Sequence, residues 1–283
     1  HVSIPGSGIT TYPTSYSPVN LKALKLKSGA RYKPQSTCSG KIRQEREFSS
    51  TNWHLVGSPL SGQTFNDDFV SFNDIPTFNN DRALSKYVTP TDSWDYLQTA
   101  STFNCTAGVG YSIKRDLTTD PIIFTGSLNL ENVTLPVEHT GCGYNLISNP
   151  YTTDISAQDL LQQNTANLVM EAVWLWNQAE DNYEVYVAAD DFVIAPTQGF
   201  LVKARNTTNI TIDKNIRRTS SRGNFQKTVK SEVLLRMTDG EKNRIAKIYY
   251  KDEATTGFDN GLDGRTYHGT SNALDIYTHL LTD

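Results

Sequence analysis

Aromatic side chains spaced two positions apart occur twice in this 283-residue chain. Trp94 and Tyr96 form one pair, and Trp174 and Trp176 form the other. On a strand, both rings of such a pair lie on one face of the sheet. An exposed face of this kind can stack on sugar rings, whereas a buried one belongs to a sandwich core. These four residues are candidates for carbohydrate binding, although we interpret the pairs as corresponding positions in two halves of the chain, which favours the core.

The segment DNGLDG is the best candidate for a metal site. Asp259, Asn260 and Asp263 offer oxygen ligands on a polar loop, and calcium prefers such ligands. The segment lacks the closing Glu of an EF-hand, and runs of Asp, Asn and Gly also form ordinary turns. Calcium is the single cofactor that the sequence suggests.

Catalytic sequence patterns do not occur in the chain. Its five His residues form no H-E-x-x-H, and there is no G-x-S-x-G. His54 alternates with strand residues, which predicts a solvent-facing or edge histidine. A triad assembled in space leaves no fixed sequence pattern, but nothing favours one here. The adjacent acids at Asp67-Asp68, Glu180-Asp181 and Asp190-Asp191 could supply a glycosidase pair, yet they are typical of solvated loops. We predict that the chain is not an enzyme.

Cysteine usage and charge exclude further classes of protein. Cys38, Cys105 and Cys142 lack zinc spacing, so we expect buried free thiols, with a Cys105–Cys142 bridge as the alternative. The net charge of −4 gives no general attraction to nucleic acid, and no apolar stretch is long enough for a membrane span. The basic stretch KNIRRTSSRGNFQK has no interleaved acid and is interpreted as a solvated linker. Its cations are Lys214, Arg217, Arg218, Arg222 and Lys227.

Two short motifs recur along the chain. The first motif reads WHLVGSP at Trp53–Pro59 and YNLISNP at Tyr144–Pro150. The second motif reads GVGYSIK at Gly108–Lys114 and TQGFLVK at Thr197–Lys203. Their separation is nearly equal in the two halves, which predicts an internal duplication of one β unit. Pro and Gly at these positions favour strand starts and stops over catalytic loops.

The predicted fold is all-β, because Thr, Ser, Asn and Tyr are abundant and helix-favouring runs are scarce. One short helix is expected, with Ser156 as its cap and Asp159 at the capping-box position. The second repeat is expected to carry a hairpin, AVWLWNQAEDNYEVYVA, where the first has only SWDYLQ. The parts are 1–48, a β-solenoid-like or edge-strand segment; 49–140 and 141–218, two β-sandwich-like repeats; and 225–283, the start of another β-sandwich, with the hairpin SEVLLRMTDGEKNRIAKIYYK and a further strand in NALDIYTHL.

Five segments together carry a family resemblance. They are WHLVGSPLSGQTFNDDFV, GYNLISNPYTTDI, AVWLWNQ with NYEVYVA, FVIAPTQGFLVKA and SEVLLRMTDGEKNRIAKIYYKDEATTGFDNGLDG. In this order they resemble large secreted or cell-surface proteins of Bacteroidota that are cargo of the type IX secretion system. The resemblance covers the chain from about residue 20 onward. It implies an extracellular or cell-surface location, and it supplies no catalytic or binding residues.

The resemblance also sets the expected function and partners. In this family such a region follows repetitive β-structure and precedes a small C-terminal β-sandwich that acts as the secretion signal. We expect that domain, which this sequence does not contain, to contact the secretion machinery and outer-membrane shuttle or anchoring proteins. The expected function is a non-catalytic, structural or adhesin-like module of an exported protein. The alternative is a carbohydrate-binding module of a secreted polysaccharide-active enzyme.

Overall fold

The computed structural model describes residues 1–219, 232–251, 254–267 and 275–279. Strands dominate this part of the chain, and the all-β prediction is confirmed. The first five strands are β1 (Val2–Ile4), β2 (Thr14–Ser15), β3 (Val19–Leu26), β4 (Lys33–Pro34) and β5 (Cys38–Arg46).

The N-terminal segment winds as a β-solenoid. β1, β3 and β5 pair in parallel in one sheet, and β2 pairs in parallel with β4 in a second. The chain passes from one sheet to the other and back, so its turns stack on one another. An apolar core that includes Leu24, Leu26 and Ile42 fills the space between the sheets. The parallel pairing decides between the two predicted forms of this segment in favour of the solenoid.

The first repeat follows the solenoid. Its elements are β6 (His54–Val56), β7 (Leu60–Ser61), β8 (Thr64–Phe65), α1 (Asp67–Phe72), β9 (Thr77–Phe78), β10 (Asp81–Val88), β11 (Ser93–Gln98), β12 (Phe103–Asn104), β13 (Tyr111–Ile113) and β14 (Ile122–Leu128). The 3₁₀ turn Thr89–Thr91 joins β10 to β11. β14 pairs antiparallel with β5, so the last solenoid strand is also the lead strand of this repeat.

The second repeat has the same order of main elements, although β7 and β9 have no counterpart in it. Its elements are the lead strand β15 (Val133–Val137), β16 (Tyr144–Ser148), β17 (Asp154–Ser156), α2 (Ala157–Gln163), β18 (Ala172–Asn177), β19 (Asn182–Val187), β20 (Val193–Ile194), β21 (Gly199–Lys203), β22 (Thr208–Ile212) and β23 (Arg217–Arg218). The 3₁₀ turns are Ala188–Asp190 and Lys214–Ile216. β15 pairs with β22, although it lies inside the sequence-derived first repeat, 49–140.

The two repeats share one sheet topology. The strand order is β11-β10-β13-β6 in the first and β19-β18-β21-β16 in the second. Their registers also agree: Leu55 lies opposite Ser112 in the first, as Leu146 lies opposite Leu201 in the second. A short pair of strands accompanies each sheet, β8 with β12 and β17 with β20. The duplication that the motifs predict is therefore present in the strand pairing.

The repeated motifs hold the two repeats together. Beyond its own sheet, the first motif of each repeat pairs with the second motif of the other. Gly57 donates its backbone N–H to Thr197 O at 3.0 Å, and the equivalent Ser148 donates to Gly108 O at 2.7 Å. Bridges between Val56 and Gln198 and between Ile147 and Val109 repeat the symmetry. The contact is thus isologous, as in a two-fold dimer.

Two glycines allow this close approach. A Cβ on Gly199 would lie 2.8 Å from the backbone of Leu55, and one on Gly110 would lie 2.6 Å from Cγ of Leu146. Thr197 departs from the pattern, because it has φ of 66° where the equivalent Gly108 has 82°. That left-handed region is unfavourable for a β-branched residue. The Thr197 hydroxyl is also buried without a hydrogen-bond partner.

Each repeat contains one short helix, whereas one in all was expected. α2 begins as predicted, with the Ser156 hydroxyl accepting from the Asp159 N–H at 3.2 Å. α1 was missed; its cap, Asn66, accepts from the Phe69 N–H at 3.0 Å. The asparagine that ends each helix, Asn73 or Asn164, bonds back into the helix and across to the last long strand of its repeat. These two asparagines fix helix to sheet in the same way.

The C-terminal part contains the predicted hairpin. Its strands are β24 (Glu232–Thr238) and β25 (Asn243–Tyr249), with Asp239 and Gly240 at the turn. Lys242 and Asn243 bond to the β18–β19 turn through Asp181 and Glu180. Residues 275–279 form no strand, and the rest of NALDIYTHL lies outside the described residues. The completion of a further sandwich stays a prediction.

Candidate functional site

The predicted carbohydrate-binding aromatics lie on one face of the joined repeats. Trp174 on β18 is fully enclosed, with 0% of its surface exposed. Its ring meets Tyr144 edge-on at 5.0 Å, and its indole N–H donates to Arg265 O at 3.0 Å. Tyr267 covers the same cluster, with its ring centroid 4.6 Å from that of Tyr144. Trp174 is therefore core, and it is unavailable for stacking on a sugar.

The other three candidates are half-buried, and each meets a neighbouring aromatic ring edge-to-face. Trp94 meets Tyr87 at 5.3 Å, and Trp176 meets Tyr183 at 5.0 Å. Tyr96 meets Trp53 at 6.0 Å, with the ring planes 65° apart. These T-shaped contacts tilt neighbouring rings away from a common plane. A carbohydrate role for Trp94, Tyr96 and Trp176 stays a prediction, because part of each side chain reaches the surface.

The two aromatic pairs do not occupy corresponding positions, contrary to the sequence interpretation. Trp94 lies on β11 opposite Tyr87 of β10, and its counterpart by register is Tyr183 on β19, opposite Trp176. The first repeat thus also has a full hairpin, β10–β11, and SWDYLQ is its second strand. The first strand of this hairpin, β10, was not predicted because its sequence, DRALSKYV, lacks regular alternation of polar and apolar residues.

The proposed calcium ligands are engaged in hydrogen bonds within the protein. Asp259 accepts from the Thr255 hydroxyl at 2.9 Å, and Asp263 accepts from the Asp259 N–H at 2.7 Å. Asn260 accepts from the Glu171 N–H at 2.6 Å, which ties the loop to the second repeat. Across the described residues, no three His, Cys, Asp or Glu side chains form a metal-binding group. Calcium at this loop stays a prediction.

His54 is buried, with 6% of its surface exposed, so the solvent-facing alternative is wrong, although β6, which carries it, is an edge strand of its sheet. Its ring stacks on Phe48 at 3.9 Å. Nε2 lies 3.1 Å from Ser50 O, and Nδ1 lies 3.2 Å from Nε2 of Gln178, an arrangement that the neutral Nε2–H tautomer satisfies. Burial lowers the pKa of His54 below its usual value, which fits a structural, uncharged imidazole.

The remaining candidates have structural contacts. The cysteines are free, as expected, but Cys38 and Cys142 are half-buried and Cys105 alone is buried; burial raises the pKa of Cys105 to about 11. Asp67 forms an ion pair with Arg82 at 2.5 Å. Arg217 was expected in a solvated linker, but it is 3% exposed and donates to Pro34 O at 3.0 Å. Arg222 and Lys227 lie outside the described residues.

One cavity was not foreseen from the sequence. It measures about 370 Å³ and lies where the solenoid, the end of β5 and the second repeat meet. Its lining comprises 28–31, 44–49, Ala195 and Pro196. The sequence KIRQER ends β5, and its residues Ile42, Gln44 and Arg46 share the inward face of that strand. The polar residues Gln44 and Arg46 at inward positions could have indicated this cavity. Ala195 and Pro196, which complete it, are distant in sequence and leave no local pattern.

Glu45 faces the other side of β5 and is surrounded by cations. Its carboxylate lies 2.8 Å from Lys25 Nζ, 3.3 Å from Lys27 Nζ and 2.9 Å from Arg43 Nη2. Burial opposes its ionisation, but hydrogen bonds from Lys25 and Lys27 outweigh burial and lower the pKa of Glu45. The negative charge of Glu45 is therefore compensated by these three cations.

Comparison of the chain with protein-family models, with curated proteins and with solved structures finds no match. Neither α-helix in the described ranges has the length and apolar character that a bilayer crossing requires.

Proposed function

We propose that this chain is a non-catalytic structural module of an exported cell-surface or secreted bacterial protein, carried by the type IX secretion system. The observation that carries the proposal is the use of the repeated motifs. Backbone groups of both motifs bond the repeats to each other, and their glycines allow the contact. Segments that carry the family resemblance thus serve the scaffold, which supports a structural role.

The continuity of strand pairing along the chain supports a structural role. The solenoid continues into the first repeat through β5, and the first repeat is bonded to the second through the motifs. The polar contacts of Lys242 and Asn243 then attach the C-terminal hairpin. The first two junctions use backbone hydrogen bonds, which suits a continuous, adhesin-like module whose contact with the export machinery lies elsewhere in the protein.

Export is tested in the bacterium that produces the protein. Antibodies against the chain should label intact cells or culture medium in the parent strain. Deletion of the outer-membrane translocation pore of the type IX system should move the antigen inside the cell. Label that stays intracellular in the parent strain, or export that persists in the deletion strain, would contradict the proposal.

The alternative, a carbohydrate-binding module, is favoured by the aromatic surface of Trp94, Tyr96 and Trp176. Its test is a titration with polysaccharides monitored by tryptophan fluorescence. Binding through this surface requires a spectral shift that Trp94→Ala reduces. No shift with any glycan would leave the structural module as the function.

A further inference from the structure

We propose that the cavity at the end of β5 binds a small hydroxylated carboxylate of the sugar-acid class, with Arg46 as the carboxylate-binding residue. Its volume of about 370 Å³ is at the lower end of the range for small-molecule sites. The site does not depend on export, so its failure would leave the proposed function unaffected.

Arg46 supplies an uncompensated positive charge. Among the described residues, its guanidinium makes a long hydrogen bond, from Nη1 to Pro196 O at 3.5 Å. No acid of the described residues forms an ion pair with it, whereas Arg31 beside it is paired with Asp154 through Nε at 3.0 Å. Burial and the charge of Arg31 lower the pKa of Arg46. Both effects would be relieved by an anion in the cavity.

Gln44 supplies the neutral half of the site. It is 1% exposed, and its side-chain oxygen has no hydrogen-bond partner. Its amide nitrogen is already used, donating to Glu45 O at 3.2 Å. A buried acceptor left unpaired is unfavourable. A ligand hydroxyl would satisfy it, because hydroxyl groups donate as well as accept.

Two further lining groups have polar atoms that a ligand could use. The Ser28 hydroxyl accepts from the Glu47 N–H at 2.9 Å, which leaves its own proton free to donate to a ligand oxygen. Glu47 is exposed and makes no ion pair with another described residue, so its carboxylate opposes binding of an anion but can accept from a ligand hydroxyl. A guanidinium binds a carboxylate through two parallel N–H donors. The cavity therefore offers two donor groups for a carboxylate, Arg46 and Ser28, and two acceptors for hydroxyls, Gln44 and Glu47.

Strand β5 provides a matched control for charge. Arg43 and Arg46 are on opposite faces, and Arg43 is paired with Glu45. Arg46→Gln removes the unpaired charge and keeps a polar side chain of similar reach. Arg43→Gln removes the same charge from the same strand outside the cavity. Circular dichroism of both variants establishes that each keeps its fold.

The test is a titration of the ¹⁵N-labelled full chain with galacturonate, galactose and acetate, followed by backbone amide shifts. Galacturonate should bind with a Kd of about 1 mM, the scale for a ligand of its size. The shifts should centre on 28–31, 44–49 and Ala195. Galactose, which lacks the carboxylate, and acetate, which lacks the hydroxyls, should each bind at least tenfold more weakly.

The variants separate this site from general attraction of anions. Arg46→Gln should weaken galacturonate binding at least tenfold, and Arg43→Gln should leave it unchanged. Equal binding of galactose or acetate, shifts centred elsewhere, or equal loss in both variants would overturn the proposal. If Arg46→Gln does not fold, the wild-type shift map and the ligand ranking still decide it.

Discussion

Thr197→Gly should make the protein more stable, although it removes a buried side chain. Thr197 holds the left-handed backbone conformation, which costs ~1–3 kcal/mol for a residue of this type. Its buried hydroxyl lacks a partner, which costs another ~1–3 kcal/mol. Glycine relieves both terms, as the equivalent Gly108 already does in the first repeat.

The substitution also has two costs. Removing the two side-chain carbons, Cβ and Cγ2, loses ~1.6 kcal/mol of apolar burial. The more flexible unfolded chain costs ~0.5–1 kcal/mol. We expect a net gain of about 1–2 kcal/mol in the free energy of unfolding, since the relief exceeds the costs through most of these ranges. For a chain of this size the gain corresponds to a rise in Tm of about 2–8 °C.

Thermal unfolding monitored by circular dichroism measures the effect, with two controls. Gly108→Ala imposes a side chain on φ of 82° and should lower stability by ~1–2 kcal/mol. Thr153→Gly removes an equally buried, unpartnered hydroxyl at a position without positive φ, and should also lower Tm. A lower Tm for Thr197→Gly would refute the reasoning. An equal rise for Thr153→Gly would show that the hydroxyl, and not the backbone, is the cause.

Three further outcomes are expected. Asn73→Ala and Asn164→Ala should each lower the free energy of unfolding by ~2–4 kcal/mol, because each leaves buried backbone groups of its helix and sheet without hydrogen-bond partners. Denaturant titration measures this, with the exposed Gln163→Ala as the control, and a change below about 1 kcal/mol would contradict it. The folded pKa of His54 is lowered from 6.5, so the unfolded chain binds its proton first and stability should fall as pH drops below about 6.5. His54→Asn, which copies the residue of the second repeat, should flatten Tm against pH in that window, and an unchanged slope would assign it to other groups. Cys105, with a pKa of about 11, should resist alkylation at pH 8 until the protein unfolds, as mass spectrometry of peptides would show.

The sequence was sufficient for features whose cause is local. Ser156 followed by Asp159 predicts the start of α2, because a cap needs those residues at that spacing. Asp239-Gly240 between alternating strands predicts the C-terminal hairpin. Recurrence of the motifs predicts the duplication, since it compares the chain with itself. The same logic could have found α1 from Asn66 and the acids that follow it.

Features that depend on distant residues could not be predicted. The sequence favoured a core position for Trp174, but the contacts with Tyr144 and Tyr267 that bury it follow from no spacing rule. The register that aligns Trp94 with Tyr183 is visible only once the strands pair, because β10 has an irregular register beside β11. Arg46 becomes a candidate ligand residue only when Ala195 and Pro196 close the cavity from the other repeat.

The symmetric bonding between the repeats has a consequence for how such a chain can arise. A single repeat made alone would leave the amide of its first motif and the carbonyl of its second without partners. Two identical copies could supply one another with the missing partners, because the contact is the same in both directions. Joining the copies through the short connection from β14 to β15 turns that association into an intramolecular one that dilution no longer opposes. The present chain has the geometry of a homodimer made permanent by gene fusion, in which each half has since been free to diverge.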